Sequence, residues 1–294
     1  MTIFKGAATA LVTPFKNGAI DFDSYGKLIE MQLNGGIDAL IVCGTTGEAS
    51  TLTTEEKLDL VKFAIKKVNK KVPIIVGTGS NNTAQAISMS KQMSELDIDG
   101  LLLVTPYYNK CSQQGLVQHY TAIADVATKP CILYSVPSRT GVNISPYAIS
   151  QLCKHPNIVG IKEASGNLSQ LVEIAKYISD DFALYSGNDD NVVPILSLGG
   201  IGVISTVSNI IPKDMHDMVL KYLDGDVCGA RDLQIKAKSL IDAVFSDVNP
   251  IPIKAALNML GYIECEYRLP LCAPNDEVLL VISKNLHDYG LKAK

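Results

Sequence analysis

One apolar run in the chain ends in a lysine. Ile158-Val159-Gly160-Ile161-Lys162-Glu163-Ala164 reads as a buried strand, with the break His155-Pro156-Asn157 before it and Ser165-Gly166-Asn167 after it. Leu168, Leu171, Val172, Ala175 and Ile178 then recur at helical spacing, so Lys162 belongs at the carboxyl end of a strand that feeds a helix. Strand alternation puts Ile158, Gly160 and Lys162 on one face, with Gly160 leaving space beside the lysine stem. Turned into a barrel, that amine is partly stripped of water. Attack on a carbonyl near neutral pH needs its pKa lowered from about 10.4 by about 3 units, or about 4 kcal/mol. The chemistry on offer is a Schiff base. The competing reading is a lysine that snorkels to water or pairs with a carboxylate such as Glu163.

Other reactive groups also follow apolar runs. Gly44-Thr45-Thr46-Gly47-Glu48 combines two glycines, which permit a tight turn, with two hydroxyls and successive N–H groups able to hold a carboxylate. It is equally an ordinary Gly-bounded turn, and no Gly-Lys-Ser/Thr makes it a P-loop. Tyr107-Tyr108 offers either packing at a subunit contact or a proton-relay hydroxyl. Tyr134 ends another run and would set a phenol beside Lys162, while Arg139 has the planar fork for a second carboxylate or is a plain surface arginine. Gly187-Asn188-Asp189-Asp190 carries an acidic pair that would repel phosphate. An unphosphorylated keto acid fits better.

The elements that must position these groups recur along the chain. Strands are expected near Ala7–Val12, Ala39–Cys43, Ile74–Gly77, Gly100–Val104, Cys131–Tyr134, Ile158–Lys162, Ala183–Ser186 and Gly202–Ser205, with helical periodicity between them. One helix carries Leu58, Val61, Ile65 and Val68 behind a Thr53-Thr54-Glu55-Glu56 cap. Eight such alternations predict an α/β fold, a (β/α)8 TIM barrel over 1–225, with active groups at the carboxyl ends of its strands. The absence of Gly-x-Gly-x-x-Gly before the first helix argues against dinucleotide binding. Helical stretches at Val227–Phe245, Ile251–Leu260 and Asn275–Tyr289 predict a C-terminal helical region over 226–294.

Composition bounds the rest. Of 294 residues 47% are hydrophobic and 19% charged, as in a chain with strands buried on both faces. A net charge of -4 without a basic patch excludes nucleic acid as an expected partner. The seven cysteines form no Cys-x-x-Cys and are expected to be mostly buried thiols of a cytoplasmic protein. The four histidines are dispersed, so no metal site is expected. No signal peptide or membrane span is read.

Together, Gly44-Thr45-Thr46-Gly47-Glu48, Tyr107-Tyr108, Tyr134 through Pro137-Ser138-Arg139-Thr140-Gly141, and Gly160-Ile161-Lys162-Glu163 closely resemble the dihydrodipicolinate synthases, of the pyruvate-dependent class I aldolase family. Ser135 departs from the pattern, since relatives often carry asparagine there. The resemblance implies condensation of pyruvate with L-aspartate-4-semialdehyde in diaminopimelate and lysine biosynthesis, by a homotetramer built from tight dimers and without metal or organic cofactor. It implies Lys162 as imine former, Thr45, Tyr108 and Tyr134 as proton relay, with Tyr108 acting across the dimer, and Thr46, Arg139, Gly187 and Ile204 as substrate binders. Sister activities share the lysine: N-acetylneuraminate lyase and the 2-keto-3-deoxy-sugar-acid aldolases. Arg139 argues against a sugar-derived acceptor, and the intact lysine, threonine and tyrosine set against a catalytically silent keto-acid-binding barrel. The resemblance also locates the feedback cleft for L-lysine found in many relatives. There Thr54, Lys57 and Gln85 stand where sensitive relatives carry two histidines and a glutamate, while Asn81 and Tyr107 are kept, so weak or absent inhibition is expected.

Overall fold

In the computed structural model, which describes residues 2–292, eight parallel strands close into a barrel. They are β1 (Gly6–Ala10), β2 (Ala39–Val42), β3 (Ile74–Gly77), β4 (Gly100–Val104), β5 (Cys131–Ser135), β6 (Ile158–Glu163), β7 (Ala183–Ser186) and β8 (Gly202–Ser205). β8 pairs back onto β1, Ala8 opposite Ile204. The predicted α/β barrel is thus the fold. β1 stops two residues short of the expected end because the ladder gives way to a side chain: Val12 N–H donates to Asn209 Oδ1 (3.2 Å).

Helices α1 (Phe22–Asn34), α2 (Thr54–Val68), α3 (Thr83–Ser94), α4 (Gln113–Ala124), α5 (Pro146–Leu152), α6 (Leu168–Ala175), α7 (Val192–Ser197) and α8 (Pro212–Leu223) follow the strands in turn. The cap predicted before α2 is present as a full capping box, with Thr53 Oγ1 accepting from Glu56 N–H and the Glu56 carboxylate accepting from Thr53 N–H. On α6 the apolar stripe divides. Leu171 is buried against the barrel, whereas Leu168 and Val172 face outward. One element was not foreseen, a short hairpin of Phe15–Lys16 and Ala19–Ile20. Its turn is Asn17-Gly18, both at positive φ, so the Asn-Gly hairpin signal was in the sequence.

Two apolar layers follow from strand alternation. Residues such as Leu103, Leu133, Ile161 and Leu184 point out to the helices, while Ala8, Ile41, Ile132, Ala183, Tyr185 and Ile204 fill the barrel. Beyond α8 come α9 (Val227–Val244), α10 (Ile251–Met259) and α11 (Asp276–Tyr289). Their buried faces, including Leu240, Ile253, Leu257 and Ile282, join the same outer layer as Met215 and Val219 of α8. A completely buried ion pair, Lys254 with Glu48, ties α10 to the loop after β2. The Lys254 ammonium also lies over the rings of Phe15 (4.4 Å) and Tyr267 (5.0 Å).

All seven cysteines are free, and only Cys43 and Cys131 are fully buried, which corrects the expectation that most would be. Cys228, Cys265 and Cys272 are exposed because they lie on the outer surface of the C-terminal region. Among the described residues no helix is long and apolar enough to cross a membrane, and no group of three His, Cys, Asp or Glu side chains is placed to hold a metal ion.

Candidate active site

At the carboxyl ends of the strands lies a cavity of about 200 Å³, lined among others by Thr45, Thr46, Tyr134, Arg139, Lys162 and Gly187. Lys162 projects into it from β6, and the reason differs in part from simple alternation. The pairing of β5 with β6 shifts between Cys131↔Ile158 and Ile132↔Gly160, so Val159 is an extra, bulged residue. Ile158 therefore faces outward and Val159 inward, and Ile158 does not share the face of Lys162 as alternation implied. Gly160 is needed for a different contact from the one expected. A Cβ there would sit 2.6 Å from the Ala183 carbonyl oxygen on β7, so glycine permits the close approach of two strands.

Lys162 is only 6% exposed. Its Nζ lies 4.3 Å from the centre of the Tyr134 ring, in register on β5. No carboxylate comes within ion-pair distance among the described residues. Glu163, the partner proposed by the alternative reading, faces away and accepts from Ser165 N–H (3.0 Å) and Gln170 Nε2 (3.2 Å). Burial lowers the Lys162 amine to a pKa of about 8, with Asp189 opposing the shift and Arg139 adding to it.

The turn after β2 is held from three sides. Gly47 N–H donates to Gly44 O (3.1 Å), Thr13 Oγ1 donates to Gly47 O (2.7 Å), and Glu48 adopts a left-handed conformation to meet Lys254. The N–H groups of Thr45 and Thr46 make no bond within the described chain, and both residues line the cavity. Burial raises the Tyr134 phenol above its ordinary pKa, against the charge of Arg139 and a hydrogen bond with Thr45. Arg139 sits on the turn Pro137–Thr140 at the cavity rim, its Nη2 donating to Asn249 O (3.2 Å).

Two of the expected residues are not on the cavity wall. Tyr108 is 91% exposed at φ +72, a strained setting for a bulky side chain, and does not reach the cavity of its own chain. Ile204 is buried in the inner layer two residues short of Thr206, which does line the cavity. Gly187 lines it, packed so closely that a Cβ would meet Ala164 Cβ at 2.6 Å.

Three polar residues were missed. The buried Asp189 accepts from the N–H groups of Thr206 (3.0 Å) and Val207 (2.9 Å). This carboxylate thus occupies two N–H groups just after β8. Asp190 points out to solvent. Thr206 Oγ1 lies 3.4 Å from Thr46 Oγ1. Asn249, from the segment between α9 and α10, donates through Nδ2 to Thr46 Oγ1 (2.9 Å). An asparagine set before Pro250-Ile251-Pro252, where a chain must turn, was the signal available for it.

A buried amine of lowered pKa beside a phenol, with hydroxyls and a guanidinium on the same wall, suits imine chemistry on a small oxo acid. The sequence matches the model of the dihydrodipicolinate synthetase family over residues 3–288. The chain belongs to that family. It is 52% identical over 276 residues to the 4-hydroxy-tetrahydrodipicolinate synthase of Alkaliphilus oremlandii (strain OhILAs), covering 94% of this chain and 95% of the relative. Among solved dihydrodipicolinate synthases, that of Thermotoga maritima superposes with a TM-score of 0.97 at 42% identity, over 99% of this chain and 100% of the other. A monomeric variant of the enzyme gives 0.97 at 41% identity, over 99% of this chain and 98% of the other. Family membership extends from the barrel strands through α11.

Proposed function

We propose that this chain is a Schiff-base lyase of class I aldolase type that joins pyruvate to L-aspartate-4-semialdehyde, giving 4-hydroxy-tetrahydrodipicolinate on the route to diaminopimelate and lysine. The observation that carries the reading is Lys162: a buried amine, lowered to about 8, inside a cavity beside Tyr134 and with no carboxylate of the described residues at ion-pair distance. The neutral amine adds to the pyruvate ketone. Loss of water leaves a protonated imine, and loss of a methyl proton makes an enamine whose carbon bonds to the aldehyde carbon of the acceptor, its oxygen taking a proton to become the hydroxyl. The acceptor's amino group then adds to the re-formed imine carbon and expels the Lys162 amine, closing the ring and freeing the enzyme. Protons for these steps pass through Tyr134 and Thr45. Thr46 and the free N–H groups of its turn receive the pyruvate carboxylate, and Arg139 at the rim receives that of the semialdehyde. Gly187 lines the wall beside them, and Ile204 packs in the inner layer two residues before the wall residue Thr206.

Tyr108 completes the relay from a second chain. Its exposure fits a side chain awaiting a neighbouring subunit. We therefore propose a dimer as the active unit and the homotetramer as its assembled form, in the cytoplasm, where the pathway's intermediates are made.

Borohydride with pyruvate should leave one reduced adduct per chain, on the peptide containing Lys162, and the chain should turn over pyruvate with the semialdehyde but not with N-acetylmannosamine. An adduct on another lysine overturns the assignment of Lys162. Turnover with the sugar instead of the semialdehyde overturns the substrate.

A further inference from the structure

Asn249 lies outside the barrel strands and their loops, yet it reaches both groups assigned to carboxylates. Its side-chain Nδ2 donates to Thr46 Oγ1 (2.9 Å), and its main-chain oxygen accepts from Arg139 Nη2 (3.2 Å). The residue is 7% exposed and lines the cavity. Its Oδ1 is buried without a partner. A buried acceptor left unpaired is a destabilising feature that calls for a reason. The reason is direction. With the amide nitrogen toward Thr46, a lone pair of the hydroxyl is occupied and its proton is released to point elsewhere. Thr206 Oγ1, at 3.4 Å, is a weak competitor for that proton. The cavity is where it is left to point.

The backbone that presents Asn249 is anchored close by. Five residues on, Lys254 pairs with Glu48, which is itself two residues beyond Thr46, and both side chains are fully buried. Arg268 N–H also donates to Glu48 Oε2 (3.3 Å). The C-terminal region and the Thr45-Thr46 turn are thus locked to each other at two points.

We propose that Asn249 is a positioning residue of this site: it aims the Thr46 hydroxyl proton at the pyruvate carboxylate through its side chain and holds the Arg139 guanidinium through its main chain. This rests on the proposed function, and it makes the C-terminal region part of the machinery and not only a support for the barrel. The division between side chain and main chain gives the proposal its test. Asn249→Ala removes the amide but keeps the carbonyl that meets Arg139. Asn249→Asp keeps the shape but replaces the donor by an acceptor, which captures the Thr46 proton and adds negative charge near the substrate carboxylate.

The experiment compares KM and kcat for both substrates in the full-length wild type, the two variants, Thr46→Val and the Thr46→Val/Asn249→Ala double variant, with thermal melting to establish folding. Wild-type turnover and its borohydride adduct check the proposed function independently. For Asn249→Ala the pyruvate KM should rise about tenfold, the semialdehyde KM should stay within about twofold, and kcat should change less than the pyruvate KM. Asn249→Asp should be worse than Asn249→Ala for pyruvate, although it is the closer fit in shape. In the Thr46→Val background, Asn249→Ala should add less than about twofold, because the two residues act through one hydroxyl. A milder effect of Asp than of Ala, an equal rise in both KM values, or full additivity with Thr46→Val would each show that Asn249 only packs the interface. If Asn249→Ala does not fold, the isosteric Asn249→Asp decides alone: an unchanged pyruvate KM overturns the proposal.

Discussion

Imine formation should follow the ionisation of Lys162. Its amine lies at about 8 against an ordinary 10.5, a difference of about 2.5 units or about 3 kcal/mol. At pH 7.5 about a quarter of the chains then carry a neutral amine, against about one in a thousand for a solvated lysine. The assay is the rate of borohydride-trapped adduct at low pyruvate from pH 6 to 10.5, which reports the free enzyme. It should climb about tenfold per unit at first and level off above about pH 8. Two variants must move the midpoint in opposite directions. Asp189 favours the ammonium, so Asp189→Asn should lower the midpoint; Arg139 disfavours it, so Arg139→Ala should raise the midpoint while still allowing the adduct to form. The same shift sets a stability profile. Because the folded pKa is depressed, the unfolded chain holds the proton more tightly, so stability rises with pH between about 8 and 10.5 and the full penalty applies below 8. Lys162→Met should accordingly gain about 1–3 kcal/mol in urea unfolding at pH 7 and lose that advantage above pH 10.5. A wild-type midpoint near 10, or a shift of both variants in one direction, would refute the argument that burial and these two charges set the amine.

Gly160→Ala should destabilise the fold by about 1–3 kcal/mol, measured by denaturant unfolding, because its Cβ would press on the Ala183 carbonyl at 2.6 Å. Mixing inactive Tyr108→Phe chains with inactive Lys162→Ala chains should restore part of the activity; mixed dimers that stay inactive would confine Tyr108 to its own chain or to a structural role. L-lysine below millimolar concentration should neither inhibit the enzyme nor release heat in calorimetry. Gln85, whose Oε1 accepts from Ser80 (3.2 Å), offers no anion to an incoming ammonium, and Lys57 adds like charge. Strong inhibition would mean that another cleft serves the effector.

The barrel was legible because its strands are local. Each is a short apolar run bounded by turn residues, and strand order follows chain order around the closed sheet. The groups at strand ends were legible for the same reason: Lys162, Tyr134 and Thr45 follow directly from where a run stops. What could not be read depended on partners far along the chain. The bulge at Val159 appears only when β6 is paired with β5, since the residues around it, Ile158 to Ile161, are all apolar. Asp189 read only as half of an acidic pair, because nothing near it in sequence reveals that its Oδ2 accepts from the N–H groups of Thr206 and Val207. Asn249 was hidden because it lies 203 positions from Thr46 in the chain.

That separation bears on the order in which the enzyme becomes competent during synthesis. A chain emerging from the ribosome can pair β1 through β7 progressively, but both edges of the sheet stay open until β8 arrives and Ala8 meets Ile204. Even then the turn bearing Thr45 and Thr46 is unfinished, for Asn249 and Lys254, which fix it, and Arg268, which bonds both Glu48 and Glu56, come later still. A nascent or prematurely terminated chain can thus own its reactive lysine while lacking the geometry to use it. The last quarter of the polypeptide is what fixes the turn after β2, long after the strand that carries Lys162 has been made.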